Sequence, residues 1–219
     1  MGEAKQQPAD VCRGVWLARQ RQLRDLDELP AQGYEWRPEA GLDVVDFLEK
    51  MLIHWQGPLA GTHLRLEPWQ KNDLILPLFG WFRKDGTRRF RQAYIEIPRK
   101  NGKTFICGGL ALYGLVGDDE PGAEVYSVAN KKDQARRCWE DAANSLNASP
   151  FLQHRLKRFH STIRDSKTAS RFSPLSSESN SSDGLNTHLA ILDELHEWRD
   201  SGLLEKITTS QISRRQPLC

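Results

Sequence analysis

Residues 93–105 read AYIEIPRKNGKTF. An extended, half-apolar run, AYIEI (93–97), enters a short polar turn that ends in Gly102-Lys103-Thr104. An apolar stretch of helical length, FICGGLALYGLVG (105–117), follows directly. Strand, tight glycine turn and helix in immediate succession is the repeating unit of wound α/β sheets. It also aims loop N–H groups and a helix N-terminus at whatever lies beyond the turn, which is the arrangement that holds a phosphate. In that geometry Lys103 reaches the β and γ phosphates, the Thr104 hydroxyl holds Mg²⁺, and Gly102 lets the backbone come close. The front half departs from the usual pattern, because Ile97 stands where the first glycine of such a loop is expected. Three letters alone are a weak signal, so the rest of the chain has to decide.

The same strand–helix logic extends along the chain. Helical spacing of apolar residues predicts helices over 11–29, 42–55 (stripe Leu42, Val45, Leu48, Leu52, Trp55) and 66–82, the last with Pro68 in its first turn. Asp85-Gly86 between two extended runs predicts a hairpin whose second arm ends in AYIEI. EVYSVAN (124–130) reads as a strand and residues 131–149 as a helix broken by Pro150. Two short strands are expected around Ile163 and Phe172 within the Ser-rich stretch 161–183. HLAILDE (188–194) reads as a buried strand, and a last helix is expected near Trp198. Alternation from residue 93 onward predicts an α/β domain with a largely parallel sheet.

The second informative stretch is LAILDE. Four apolar residues lead to Asp193-Glu194, ninety residues after Lys103. In ATPases with a phosphate loop, the strand beside the loop strand ends in an acid that helps hold Mg²⁺. A following glutamate orients and deprotonates the attacking water. A strand end meeting a polar turn often carries an acid for no such reason. Both motifs in this order argue for nucleotide chemistry.

The full strings EIPRKNGKT and NTHLAILDELHEW resemble the large subunit of tailed-phage terminases, the motors that package DNA into capsids. In that family the phosphate loop deviates at its first glycine and carries an arginine near its start, as Arg99 and Lys100 do here. LEPWQKNDLILPLFGW (66–81) resembles the family's adenine-recognition segment, with Gln70 as reader. DGTRRFRQAYIEI resembles its hairpin into the loop, and the likeness runs from about residue 60 to RRQPL near the end.

The resemblance implies a RecA-like additional-strand P-loop fold (α/β), with residues 1–59 as a helical lid or extension and 60–219 as the ATPase domain. It implies an ATP site of Gln70, Arg99, Lys100, Asn101, Gly102, Lys103 and Thr104. Mg²⁺ would be held by Thr104 and Asp193, with Glu194 as catalytic base. Arg99 would pair with the γ phosphate or act in coupling. A neighbouring subunit in a ring of five would supply an arginine, with Arg136, Arg137, Arg214 and Arg215 as candidates. The partners implied are double-stranded DNA, a terminase small subunit and a portal protein, in the cytoplasm of a bacterial host. Family members continue past RRQPL into a coupling strand and an RNase H-like nuclease domain. This chain stops at Cys219, so the resemblance implies that both are lacking and that the chain does not cut DNA.

Other classes are disfavoured. No apolar run approaches the roughly 20 residues of a membrane span, and the N-terminus MGEAKQQPAD has no signal-peptide core. The four cysteines show no CxxC spacing and read as reduced thiols. HEWRD lacks the second histidine of a zinc motif, since Asp200 stands in its place, and His196, Glu197 and Trp198 read as a loop turning away from the acidic strand end. No GxSxG elbow is present. Net charge is +2, but RKDGTRRFR (83–91) and KKDQARR (131–137) are basic clusters that suit either a solvated face or a nucleic-acid contact. A helicase-like ATPase lacks its further motifs here, a nucleotide kinase lacks an arginine-rich lid, and a nucleotide binder without turnover is the non-enzyme alternative.

Overall fold

The computed structural model describes residues 7–118, 120–176, 184–195, 198, 202–211, 214 and 217–219. They divide into two compact units. One unit takes residues up to 45 and 66–90, the other 46–65 and 91–219.

In the first unit, α1 (Arg13–Glu28) ends at a 3₁₀ turn (Pro30–Gln32) closed by Gly33 at φ 86°. Of the apolar residues along 11–29 only Leu29, just past the helix, is buried. Leu23 and Leu26 are exposed, and Asp25 is buried. The Asp25 carboxylate accepts from Arg89 Nη1 at 2.6 Å. β1 (Glu35–Trp36) pairs antiparallel with β2 (Trp81–Phe82). α2 spans Pro38–Met51, earlier in the chain than the 42–55 expected. Pro38 opens it, and Val44, Val45 and Leu48 are buried, while Leu42 and Trp55 are exposed.

The third predicted helix is present but widened. A π-helical turn over Gln70–Ile75 runs into α3 (Leu76–Gly80). Pro77 supplies the physical account. It cannot donate to the helix and its ring crowds the carbonyl one turn back, and one extra residue in the turn relieves that clash. The Asp85-Gly86 turn forms as expected, with Phe82 bridged to Arg88, but the second arm does not continue as a strand into AYIEI. Asp85 Oδ1 accepts from the Thr87 backbone N–H and hydroxyl, and Gly86 takes φ 77°.

The second unit is built on a five-stranded sheet. α4 (Lys103–Val116) precedes β3 (Glu124–Ala129). α5 (Lys132–Ala148) leads into α6 (Pro150–Arg155), so Pro150 ends one helix and opens the next. β4 (Leu156–Arg158), β5 (Ile163–Asp165) and β6 (Arg171–Ser176) follow. Then come β7 (Thr187–Leu192) and α7 (Gly202–Ser210). The order across the sheet is β4-β5-β6-β3-β7. β3 runs parallel to both β6 and β7, whereas β4–β5 and β5–β6 are antiparallel. The sheet is therefore parallel over β6-β3-β7 and antiparallel toward its β4 edge.

The two faces are covered by different elements. Gly114 of α4 lies against Val125 and Leu189, and Trp139 of α5 donates to the Phe172 carbonyl at 3.3 Å. On the opposite face Leu203 and Ile207 of α7 pack with Tyr126, Val128, Leu175 and Ala190. Residues 46–65 belong to the α4 side. A Cβ on Gly109 would come within 2.3 Å of Leu52 and 2.6 Å of Leu48, so glycine is what permits this approach.

AYIEI does not form the expected strand. Only its first residue is paired, with Ala93 N–H donating to the Cys219 carbonyl and Cys219 N–H to that of Arg91, both at 2.9 Å. Leu218 in turn pairs parallel with β7. The chain's last residues thus stand between β7 and the segment entering the loop, and residues 94–97 have no backbone hydrogen-bond partner among the described residues. That also corrects the expected adjacency: the acidic strand end is not on the strand next to the loop segment.

Candidate nucleotide site

The turn before α4 is made by two left-handed residues, Lys100 (φ 68°) and Gly102 (φ 73°). Glycine at 102 serves this dihedral: among the protein's own atoms, an added Cβ would meet nothing closer than Ile106 at 3.9 Å. Asn101 closes the turn, its amide donating to the carbonyls of Pro98 (3.2 Å) and Arg99 (3.3 Å). Ile106 N–H is the first to bond back, to the Gly102 carbonyl. The N–H groups of residues 103–105 are thus the helix's unsatisfied donors, with its positive dipole end behind them. Arg99 and Lys100 are exposed on the turn.

Lys103 is the first residue of α4, and its side chain meets the acids at the end of β7. Nζ lies 3.2 Å from Asp193 Oδ1 and 3.5 Å from Glu194 Oε1. Partial burial alone would lower the Lys103 pKa. The hydrogen bond to Asp193 and the two carboxylate charges outweigh it and hold the ammonium above its ordinary value. Asp193 is placed by the sheet, since its N–H donates to the Val128 carbonyl at 2.9 Å. Glu194 sits just past the strand at φ 51°, a conformation disfavoured for a side chain of this kind, and its N–H donates to Asp193 Oδ1. A strained residue beside a charged pair is where functional constraint is expected.

Two neighbours escaped the sequence reading. Trp198 does not turn away from the strand end. Its indole N–H returns to the Asp193 carbonyl at 3.1 Å. Cys107, one turn along α4 from Lys103, has its thiol pushed up to about 12. Burial is the main cause, Asp193 adds to it and Lys103 opposes it. The thiol therefore stays protonated and inert at neutral pH. His54 stacks on Phe105 with ring centroids 4.7 Å apart.

The other expected site residues are placed as follows. Gln70 is buried in the first unit, where its Oε1 accepts from the Glu67 N–H at 2.8 Å. Arg136 is held by Glu140 on its own helix at 2.7 Å, and Arg137 is exposed. Arg214 is buried and donates to Glu120 and to the carbonyls of Pro121, Gly122 and Asn186. That guanidinium is committed to its own subunit. Arg215, His196 and Glu197 lie outside the described residues, as does the serine run beyond residue 176.

Mg²⁺ bound with a nucleotide needs only one or two protein ligands, the rest being phosphate oxygens and waters. The donor types at Thr104 and Asp193, one hydroxyl and one carboxylate, fit that requirement. No cluster of three His, Cys, Asp or Glu suited to a metal occurs among the described residues, so a self-contained protein cage is not what this set offers.

A lysine opening a helix after a left-handed glycine turn, facing an Asp-Glu pair at the end of a parallel strand, defines a P-loop NTPase. The comparisons specify which. The model of the terminase large subunit ATPase domain matches residues 68–219. The terminase large subunit of Enterobacteria phage HK97 is 32% identical over 186 residues, which are 81% of this chain and 35% of that protein. The crystal structure of the HK97 large terminase superposes with a TM-score of 0.69 at 30% identity, over 81% of this chain and 36% of that one. The chain belongs to the terminase large-subunit ATPase family, and it spans about a third of the length of these relatives.

Proposed function

We propose that this chain is the ATP-hydrolysing part of a phage packaging motor, which drives double-stranded DNA into a procapsid. The observation that carries the proposal is Lys103 set between Asp193 and Glu194 at the mouth of the glycine turn. An ammonium already held by two carboxylates can exchange them for β and γ phosphate oxygens, which frees Glu194 to take a proton. The attacking water gives its proton to Glu194 as its oxygen bonds the γ phosphorus. The bond to the ADP oxygen breaks, and ADP and phosphate leave. Thr104 and Asp193 would hold Mg²⁺ together with the phosphates, and the ion would supply charge neutralisation at the β and γ oxygens. The N–H groups of residues 103–105 receive phosphate oxygens, with Asn101 keeping the turn in shape and Lys100 lending charge.

Gln70 is assigned to adenine and Arg99 to the γ phosphate or to coupling. Among the described arginines offered in trans, Arg137 suits the role best, because Arg214 and Arg136 are already engaged within the chain. The motor would act as a ring of five on a portal, with a small subunit as partner, in the cytoplasm of the host. No helix among the described residues is long and apolar enough to cross a membrane.

Phosphate release from Mg-ATP tests the assignment. Turnover is expected from the unmodified chain and is expected to fall roughly 10²–10³-fold or more in Glu194→Gln, as when a catalytic polar group is removed. Turnover unchanged in Glu194→Gln would sink the assignment of the base.

A further inference from the structure

The turn after β7 is closed by a residue to which the hydrolysis step gives no part. Trp198 bonds back to the turn twice. Its backbone N–H donates to the Leu195 carbonyl and its indole N–H to the Asp193 carbonyl, both at 3.1 Å. The ring is half-buried and packs at the rim of the cluster of Tyr126, Val128, Leu175 and Ala190 that α7 covers. The indole is thereby tied to the sheet at one end and to the acidic strand end at the other.

The Asp193 carbonyl and the Glu194 N–H belong to one planar peptide group and point to its opposite edges. Trp198 holds the first edge. Asp193 Oδ1 holds the second, accepting from the Glu194 N–H at 3.1 Å. Rotation of this plane sets the φ of Glu194, which stands at 51°. A glutamate free to choose relaxes to negative φ. That rotation would carry the carbonyl off the indole and swing the Glu194 side chain away from its present direction. The two holds are not equivalent. Asp193 Oδ1 also meets Lys103 Nζ at 3.2 Å, and Asp193 is assigned above to Mg²⁺, so its grip on the N–H is shared with other partners. The indole bond lies outside that competition.

We infer that Trp198 is a positioning residue for ATP hydrolysis: it holds the Asp193–Glu194 peptide in the orientation that aims the Glu194 carboxylate at the phosphate site, an inference that rests on the hydrolysis reading above. Packing accounts for the ring, since any large apolar side chain would fill the rim of that cluster. Packing does not account for the N–H, which is spent on the one carbonyl whose direction sets the Glu194 backbone.

The test compares the unmodified chain, Trp198→Phe, Glu194→Gln and the double variant. Phenylalanine keeps a ring on the cluster and removes the donor, and it should melt within about 5 °C of the unmodified chain. Should it melt lower, benzothienylalanine at 198, which has the indole's shape with sulfur in place of the N–H, makes the same comparison. The kcat for phosphate release is expected to fall about 2–10-fold, the weight of one hydrogen bond, with KM and Mg-ATP affinity unchanged. In the Glu194→Gln background Trp198→Phe should lower kcat no further, because the indole acts through Glu194. Amide exchange followed by mass spectrometry on the nucleotide-free chain gives a readout independent of turnover. The peptide containing Glu194 should exchange faster in Trp198→Phe, and the start of α4 should not. Either an unchanged kcat or an unchanged exchange in Trp198→Phe would overturn the inference while Glu194-dependent turnover leaves the hydrolysis reading intact. An equal loss of kcat in the Glu194→Gln background would also overturn it, leaving Trp198 a packing residue. Failure of the hydrolysis reading appears separately, as phosphate release indifferent to Glu194.

Discussion

Glu194 carries two properties that usually exclude each other. It holds a left-handed backbone, costing about 1 kcal/mol for a residue with a side chain, and its carboxylate reaches Lys103. Replacing it with glycine removes the strain together with the carboxylate. Glu194→Gly is expected to be no less stable than the unmodified chain in thermal melts, because the relieved strain offsets the added freedom of the unfolded glycine. It should nevertheless release no phosphate. A drop in melting temperature of several degrees would mean that the backbone here is not strained. Such strain is invisible in a sequence, since DE at a strand end is common. The identities of Lys103, Asp193 and Glu194 were legible there, and their meeting at 3.2 and 3.5 Å was not.

Among the elements, those defined by their own periodicity were readable: α4, α5, β3, β6 and β7 match the pattern of apolar residues. Elements whose state depends on a neighbour were not. AYIEI has strand composition but little backbone to pair with. β4 is three residues long and gains its identity from β5. The π turn depends on Pro77 acting from outside the turn. The β5 end shows what such a dependent element costs. Asp165 is buried, and burial would raise its pKa. The Lys167 N–H, Arg155 and Thr168 together hold it below the ordinary carboxylate value. A depressed pKa contributes stability that is present above about pH 4, the unfolded value. It is lost as pH falls through the folded one. Acid unfolding followed by circular dichroism should therefore begin at higher pH in Arg155→Ala than in the unmodified chain. Superimposable acid transitions would show that the Arg155 pair does not hold Asp165 ionised.

At the scale of the whole molecule, the family was legible because two short motifs and their order coincide with flanking strings. The compact units do not follow chain order: residues 46–65 join the unit built on the five-stranded sheet, and residues 66–90 join the first. In this mechanism Lys103 is the phosphate ligand and Glu194 is a base that acts only in the chemical step. Equilibrium binding of Mg-ATP to three proteins tests it most directly: the unmodified chain, Lys103→Ala and Glu194→Gln. Losing a charged hydrogen bond to phosphate removes about 1.5–3 kcal/mol, so Lys103→Ala should bind roughly 10–100-fold more weakly. Glu194→Gln removes a negative charge beside the phosphates and should bind as tightly as the unmodified chain or more so. Equal affinity for Mg-ATP in Lys103→Ala and the unmodified chain would contradict the account.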